Sequence, residues 1–259
     1  MALSKNQIQN VEDVLKRSLR SKFQNYNPEP ASMPFHTRLL GKDRMALFSF
    51  IHSLNTNFGT SIFEPVALEL ASSSFSSAQS QQTAGTQISS EAHRVIQNIM
   101  DNLSTAKTSP DKIEEMKAIK KVCQKGTMKT VKLTKIDIKL ISRNGIIYLF
   151  DIKTAKPNAG GFKEFKRTLL EWVAAILAQD PKANVKTIIA IPYNPYEPKA
   201  YNRWTMRGML DLNNELKVAD EFWDFLGGKG AYQDLLDIFE QVGIELRPEI
   251  DQYFARHNK

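Results

Sequence analysis

The sequence predicts an α/β (α+β) chain: a small mixed β-sheet flanked by helices, with additional helices at the N- and C-terminal ends. Three observations carry this. Apolar residues at helical spacing dominate residues 4–128. Two short runs of strand character meet across a glycine turn within residues 130–153. An apolar helical stripe then separates them from a third, fully apolar strand, as in a crossover between neighbouring strands.

Each element follows from its pattern. Ile8, Val11, Leu15, Leu19 and Phe23 predict a helix over residues 4–23. Pro28 and Pro30 break it, and Pro34 is expected to keep the chain extended. Residues 42–54 form a second helix with Met45, Leu47, Phe48 and Ile51 inward. Residues 57–61 (NFGTS) read as a turn with capping residues, and a third helix runs over 62–71. Residues 72–90 are rich in serine, glutamine and threonine, so they are expected to be a loop or flexible arm. Such an arm is either a plain connector or an element that orders on a ligand. Val95, Ile96, Ile99, Met100 and Leu103 give a helix over 91–103. Ser109-Pro110 is read as the cap of a helix over 111–124, which Lys125-Gly126 ends.

Beyond the hairpin, Phe162, Phe165, Leu169, Leu170, Val173, Ile176 and Leu177 make a strong helical stripe. Residues 185–191 (VKTIIAI) are a buried strand expected beside the second hairpin strand. An aromatic, proline-rich connection over 192–204 leads to short helices at 214–226, 231–243 and 247–257. The chain is expected to be one domain over 1–259: mostly helical to 128, a core at 129–191, then a loop and helices at 192–259.

Composition narrows the function. Apolar content of 42% and charged content of 24% suit a globular chain, and no apolar run reaches the ~20 residues of a membrane span. The first twenty residues lack the apolar core of a signal peptide. A single cysteine excludes an intramolecular disulfide, there is no zinc-ligand spacing, and a cytoplasmic location is expected. The net charge of +7 favours a polyanionic partner or reflects a merely basic surface.

The hairpin narrows it further. Alternation puts Ile136, Ile138 and Leu140 on one face of the first strand and Asp137 and Lys139 on the other. In the second strand Leu149, Asp151 and Lys153 share a face opposite Tyr148, Phe150 and Ile152. A three-residue loop, Arg143-Asn144-Gly145, with its last residue left-handed, aligns the apolar faces and sets Asp137 opposite Asp151. Facing carboxylates repel. A hard Mg²⁺ ion resolves the repulsion, taking carboxylate and phosphate oxygens and acidifying a bound water. Lys153 stands ready to orient that water or stabilise transition-state charge. Asp137-Ile138-Lys139 repeats the acid-x-lysine pattern but has no acid on a paired strand upstream, so it supplies the first acid instead. The bland alternative is a hairpin at the sheet edge whose charges face water.

An acid on one strand and an acid-x-lysine on its neighbour resembles the nucleases of the PD-(D/E)xK superfamily. KIDIKL at 135–140 and FDIKTAKPNAGGFKEFKRTLLEW at 150–172, with further segments at 37–43 and 59–64, resemble type II restriction endonucleases of the TdeIII-like family. That resemblance implies a restriction-endonuclease-like core, with Asp137 and Asp151 as Mg²⁺ ligands and Lys153 as the catalytic lysine. It also implies cleavage of double-stranded DNA at a short GGNCC-like palindrome and a cognate DNA methyltransferase in the same system. A palindrome is usually read by a homodimer. Ile136 replaces the proline that leads the superfamily motif.

Other residues join as candidates. Glu64, at a helix start, resembles the helical glutamate that relatives place near the metal. A solvent-facing glutamate is the alternative, and Glu91 is a rival for the same role. Lys156, Asn158 and Lys163 lie in a glycine loop opening a helix, suited to phosphate or to a plain turn. Lys199, Tyr201, Arg203 and Arg207 interleave cations with aromatics, suiting a DNA surface or a tucked-down loop. Arg203, Arg207 and Arg143 are unranked candidates for reading guanine. The four histidines are scattered and read as structural or surface groups.

Overall fold

A computed structural model describes residues 2–25, 33–153, 155, 161–202 and 208–257. Five strands make the central sheet. β1 (Ser77–Gln82) pairs antiparallel with β4 (Ile136–Ile141), and β4 pairs antiparallel with β5 (Ile147–Ile152). β5 lies parallel to β6 (Val185–Ile191), which lies parallel to β7 (Leu216–Val218). A separate short ribbon joins β2 (Gln87–Ser89) to β3 (Met128–Thr130). The expected crossover is present: α7 (Phe162–Gln179) carries the chain from β5 to β6.

Helices cover both faces of the sheet. On one side α7, α5 (Ser90–Ser104) and α6 (Lys112–Lys120) pack against Leu149, Val185, Ile189 and Ile191. On the other, α1 (Lys5–Asn25), α4 (Glu64–Ala71), α9 (Asp220–Gly227) and α10 (Ala231–His257) cover Ile138, Leu140, Phe150 and Ile188. Burial on both faces explains why β6 is almost continuously apolar. The hairpin is therefore interior to the sheet, and the water-facing alternative fails for Asp151, which is 3% exposed.

The hairpin register is the expected one. Ile141 pairs with Ile147 and Ile138 with Phe150, so continuation of the ladder sets Asp137 opposite Asp151. Ser142 N donates to Ile146 O at 2.9 Å and Gly145 has φ +80°, closing the loop around Arg143-Asn144-Gly145.

Elsewhere the structure corrects the pattern reading. Residues 72–90 are not an arm, because they hold β1 and β2. An edge strand is tied by its backbone to β4 and needs no apolar alternation, so a serine–glutamine run suffices. Residues 57–61 are not a turn. Helix α3 (Lys42–Phe58) runs through a π-helical segment, Gly59–Phe63, directly into α4. Pro34 does not extend the chain but opens α2 (Pro34–Leu40), where its missing N–H costs nothing. The cap of α6 is Asp111, which accepts from Glu114 N, rather than Ser109. Residues 214–226 divide into the end of α8 (Leu212–Glu215), β7 and α9. The last two expected helices are the single helix α10, continuous through Pro248.

The structure also holds a buried ionic cluster that the sequence pattern does not announce. Lys112, Glu115, Lys166 and Glu215 are all buried. Lys166 Nζ lies 2.5 Å from Glu115 Oε2 and 2.6 Å from Glu215 Oε2, and Lys112 Nζ lies 2.8 Å from Glu215 Oε1. The cluster ties α6, α7 and α8 together. No described helix is long and apolar enough to cross a membrane.

Candidate active site

Asp137 and Asp151 meet where β4 and β5 part. The ladder would next set Ile136 against Ile152. Instead Ile152 N donates to Asp137 Oδ2 at 2.7 Å, so this carboxylate closes the sheet as well as facing the cleft. The parallel ladder continues on the other side, with Lys153 N donating to Ala190 O at 2.9 Å. Lys153 is thereby fixed at its backbone. Its Nζ lies 2.6 Å from Asp151 Oδ1 and sits over the Phe165 ring, 4.7 Å from the centroid. Phe165 belongs to the first turns of α7, so helix and sheet jointly aim the ammonium.

Glu64 is the first residue of α4 and is only 4% exposed. The π segment, packed through buried Ile62 and through Phe63 against Trp223, delivers it to the same place. Gln81 Nε2 lies 3.0 Å from both Glu64 oxygens and 3.4 Å from Asp137 Oδ1. Glu64, Asp137, Asp151 and Lys153 line one cleft of ≈ 710 Å³, together with Thr60 and Tyr193. A cleft of similar size, ≈ 700 Å³, near the start of β6 is lined by lysines and no carboxylate, so it offers no seat for a hard cation.

The electrostatics mark this end of the sheet. Burial pushes the Asp151 carboxyl up to about 7, with Lys153 opposing the shift and Asp137 adding to it. Burial likewise pushes Glu64 up to about 7, against the hydrogen bond from Gln81 and with repulsion from Asp137. Among the described residues, no three His, Cys, Asp or Glu side chains converge tightly enough to hold an ion as the chain stands. The Gln81 amide stands between Glu64 and Asp137, and the Lys153 ammonium stands on Asp151. The donor set nevertheless fits a hard divalent cation: oxygen ligands, two of them disfavoured as anions by burial, in an open cleft.

A pH dependence follows. An acid whose folded pKa is raised binds more protons folded than unfolded, so it subtracts stability as pH rises through that window. Without divalent ions, thermal stability should fall between about pH 4 and 7, by about 1.4 kcal/mol per pH unit for each acid at most, then level off. Added Ca²⁺ should restore it at pH 8 and do little at pH 5. Melting curves across this range, with and without the ion, would refute the assignment if stability rose with pH.

The other candidates separate. Glu91 lies outside the cleft and pairs with Arg94 at 2.7 Å, so it is no rival to Glu64. Arg143 lies at the far end of the hairpin from Asp137 and Asp151 and donates to Ser73 O at 2.8 Å. Lys163 and Lys199 are exposed. Tyr201 is half-buried against the core and its hydroxyl donates to Ala155 O at 3.1 Å. It is a tucked-down strut holding residue 155, close after Lys153, rather than a free stacking ring. Lys156, Asn158, Arg203 and Arg207 lie outside the described residues. Sequence reasoning misses Gln81, because nothing in a serine–glutamine run marks one glutamine above its neighbours.

Comparison with known proteins places the chain in a family. The family model of the type II restriction endonuclease HinfI matches residues 3–243. The chain belongs to that family. Curated relatives agree: the type II restriction enzyme HgiBI of Herpetosiphon aurantiacus is 26% identical over 92% of this chain and 89% of its own length. HgiEI of the same organism is 28% identical over 85% of this chain and 80% of its own. MjaII of Methanocaldococcus jannaschii is 25% identical over 98% and 74%. The HinfI-family chain is thus a type II restriction endonuclease with a mixed five-stranded sheet between helices, consistent with the restriction-endonuclease-like fold. Its class cleaves double-stranded DNA at specific sites, generally with a divalent metal. The narrower TdeIII-like placement is not part of the match.

Proposed function

We propose that this enzyme is a Mg²⁺-dependent endonuclease of one domain that works in the cytoplasm. It cuts a short GGNCC-like palindrome as a homodimer and is accompanied by a DNA methyltransferase that protects the same sites. One observation carries the chemical part: a buried acid, Asp151, set opposite Asp137, with Lys153 held beside it at the mouth of a cleft. In this reading Asp137 and Asp151 hold the ion, and Glu64 is the third acid. Bound there, Mg²⁺ would polarise the scissile phosphate and acidify a water.

The chain's own residues do the rest. Asp137 keeps its orientation because Oδ2 is fixed by Ile152 N. Lys153, steadied by Phe165, directs its Nζ protons to the attacking water or to a phosphate oxygen. Lys163 and Lys199, with Lys156, Arg203 and Arg207 in the segments beside them, supply the DNA-facing charge, which fits the net +7, and Asn158 adds a neutral hydrogen-bonding group to the DNA contact.

Plasmid digestion with Mg²⁺ tests the proposal. Discrete bands whose mapped ends share one palindrome are expected. A smear or cutting confined to junctions would point to a structure-specific nuclease instead. Tight DNA binding with no cutting under any divalent metal would leave only a degenerate nuclease core.

A further inference from the structure

Gln81 lies one residue from the end of β1. The register that pairs Ser80 with Ile138 and Gln82 with Ile136 sets it opposite Asp137. Its φ is +55°, a left-handed conformation that side chains other than glycine adopt only when the surroundings compensate. The compensation is at the amide. Nε2 is 3.0 Å from each Glu64 oxygen, bridging the two, and 3.4 Å from Asp137 Oδ1. The last contact is long and the first two dominate. Glu64 arrives on a helix covering the sheet and Asp137 on an interior strand, and their charges repel. A neutral donor placed between them offsets that repulsion without filling the site with a competing cation.

We infer that Gln81 is a positioning residue of the cation site: a left-handed residue within the edge strand aims its amide so that Glu64 is held toward Asp137 and presented as the third carboxylate. The inference rests on the reading of Asp137 and Asp151 as the ion's ligands. It gives the polar character of β1 a purpose, since the apolar residues that strengthen a strand elsewhere could not supply the donor. It also explains why the strain is retained, because a relaxed backbone would turn the amide away from both acids.

The test is calorimetric titration of the DNA-free protein with Ca²⁺ at pH 8, with cleavage kinetics under Mg²⁺ alongside. Gln81→Gly removes the amide at a position whose φ suits glycine, so the variant folds. Gln81→Leu keeps the bulk and removes only the donors. Both should bind Ca²⁺ roughly 10-fold or more weakly, as expected when a group that orients a ligand is lost. Both should also lose kcat while KM stays near that of the wild type. Wild-type or tighter Ca²⁺ binding by either variant overturns the inference, because the amide would then only occupy space that the ion takes. The underlying cation-site reading fails separately, if the wild type takes up no Ca²⁺ or if Asp151→Asn takes it up as well as the wild type does.

Discussion

Asp151→Asn should abolish DNA cleavage, by about 10³-fold or more, while leaving the folded chain as stable as before or more so at pH 8. The two expectations have one cause. Burial makes the ionised Asp151 carboxylate unfavourable in the folded chain, and an amide of the same shape removes that cost. What it cannot do is hold a cation as an anion does. Binding of the uncut recognition site should stay within about 10-fold, because only the scissile phosphate, by way of the ion, depends on this side chain, while the proposed lysine and arginine contacts to DNA do not. Gel shift in Ca²⁺, plasmid linearisation in Mg²⁺ and a melting curve check the three parts. Asp137 is the less clean choice. Its replacement would also orphan Ile152 N, at a cost of about 1–3 kcal/mol, so lost activity would be mixed with lost stability. An Asp151→Asn protein that still cuts at a tenth of the wild-type rate would remove this acid from the chemistry.

The sequence could reveal this hairpin because its constraints are local. Strand parity and a glycine needing positive φ fix the register of Asp137 against Asp151 within fifteen residues of chain. The α7 stripe and the strand it leads to are legible for a similar reason, as runs of apolar residues long enough to set their own period. What escaped depends on partners far away in sequence. β1 is a strand only because β4 offers a backbone edge, and Gln81 matters only because that pairing sets it against Asp137. The π segment that delivers Glu64 looks like a turn by composition, since NFGTS holds a glycine and two hydroxyl residues. Lys112, Glu115, Lys166 and Glu215 look like solvent-facing helix charges, because a lysine's burial depends on where its partner lies rather than on its neighbours.

That cluster should be the costliest place to break the fold. Lys166 is wholly buried and balances two carboxylates, Glu115 and Glu215, with Lys112 sharing the second. Burial alone would raise Glu215, yet the two lysines outweigh it and hold its carboxyl below the usual range. Burial wins at Glu115, which is raised despite Lys166. Lys166→Met keeps most of the volume and strands the acids in the interior, so a loss of about 3–5 kcal/mol is expected, or roughly 6–20 °C in Tm. Adding Glu115→Gln should recover part of that loss, because one cation, Lys112, then faces one anion, Glu215. A single variant melting within a degree or two of the wild type would show the cluster to be solvated rather than buried. The loss should also reach the chemistry. Lys166 follows Phe165 directly, and the ring of Phe165 steadies the Lys153 ammonium beside Asp151. Loosening the first turns of α7 therefore lowers cleavage even at temperatures where the variant stays folded, and the double substitution recovers part of both together.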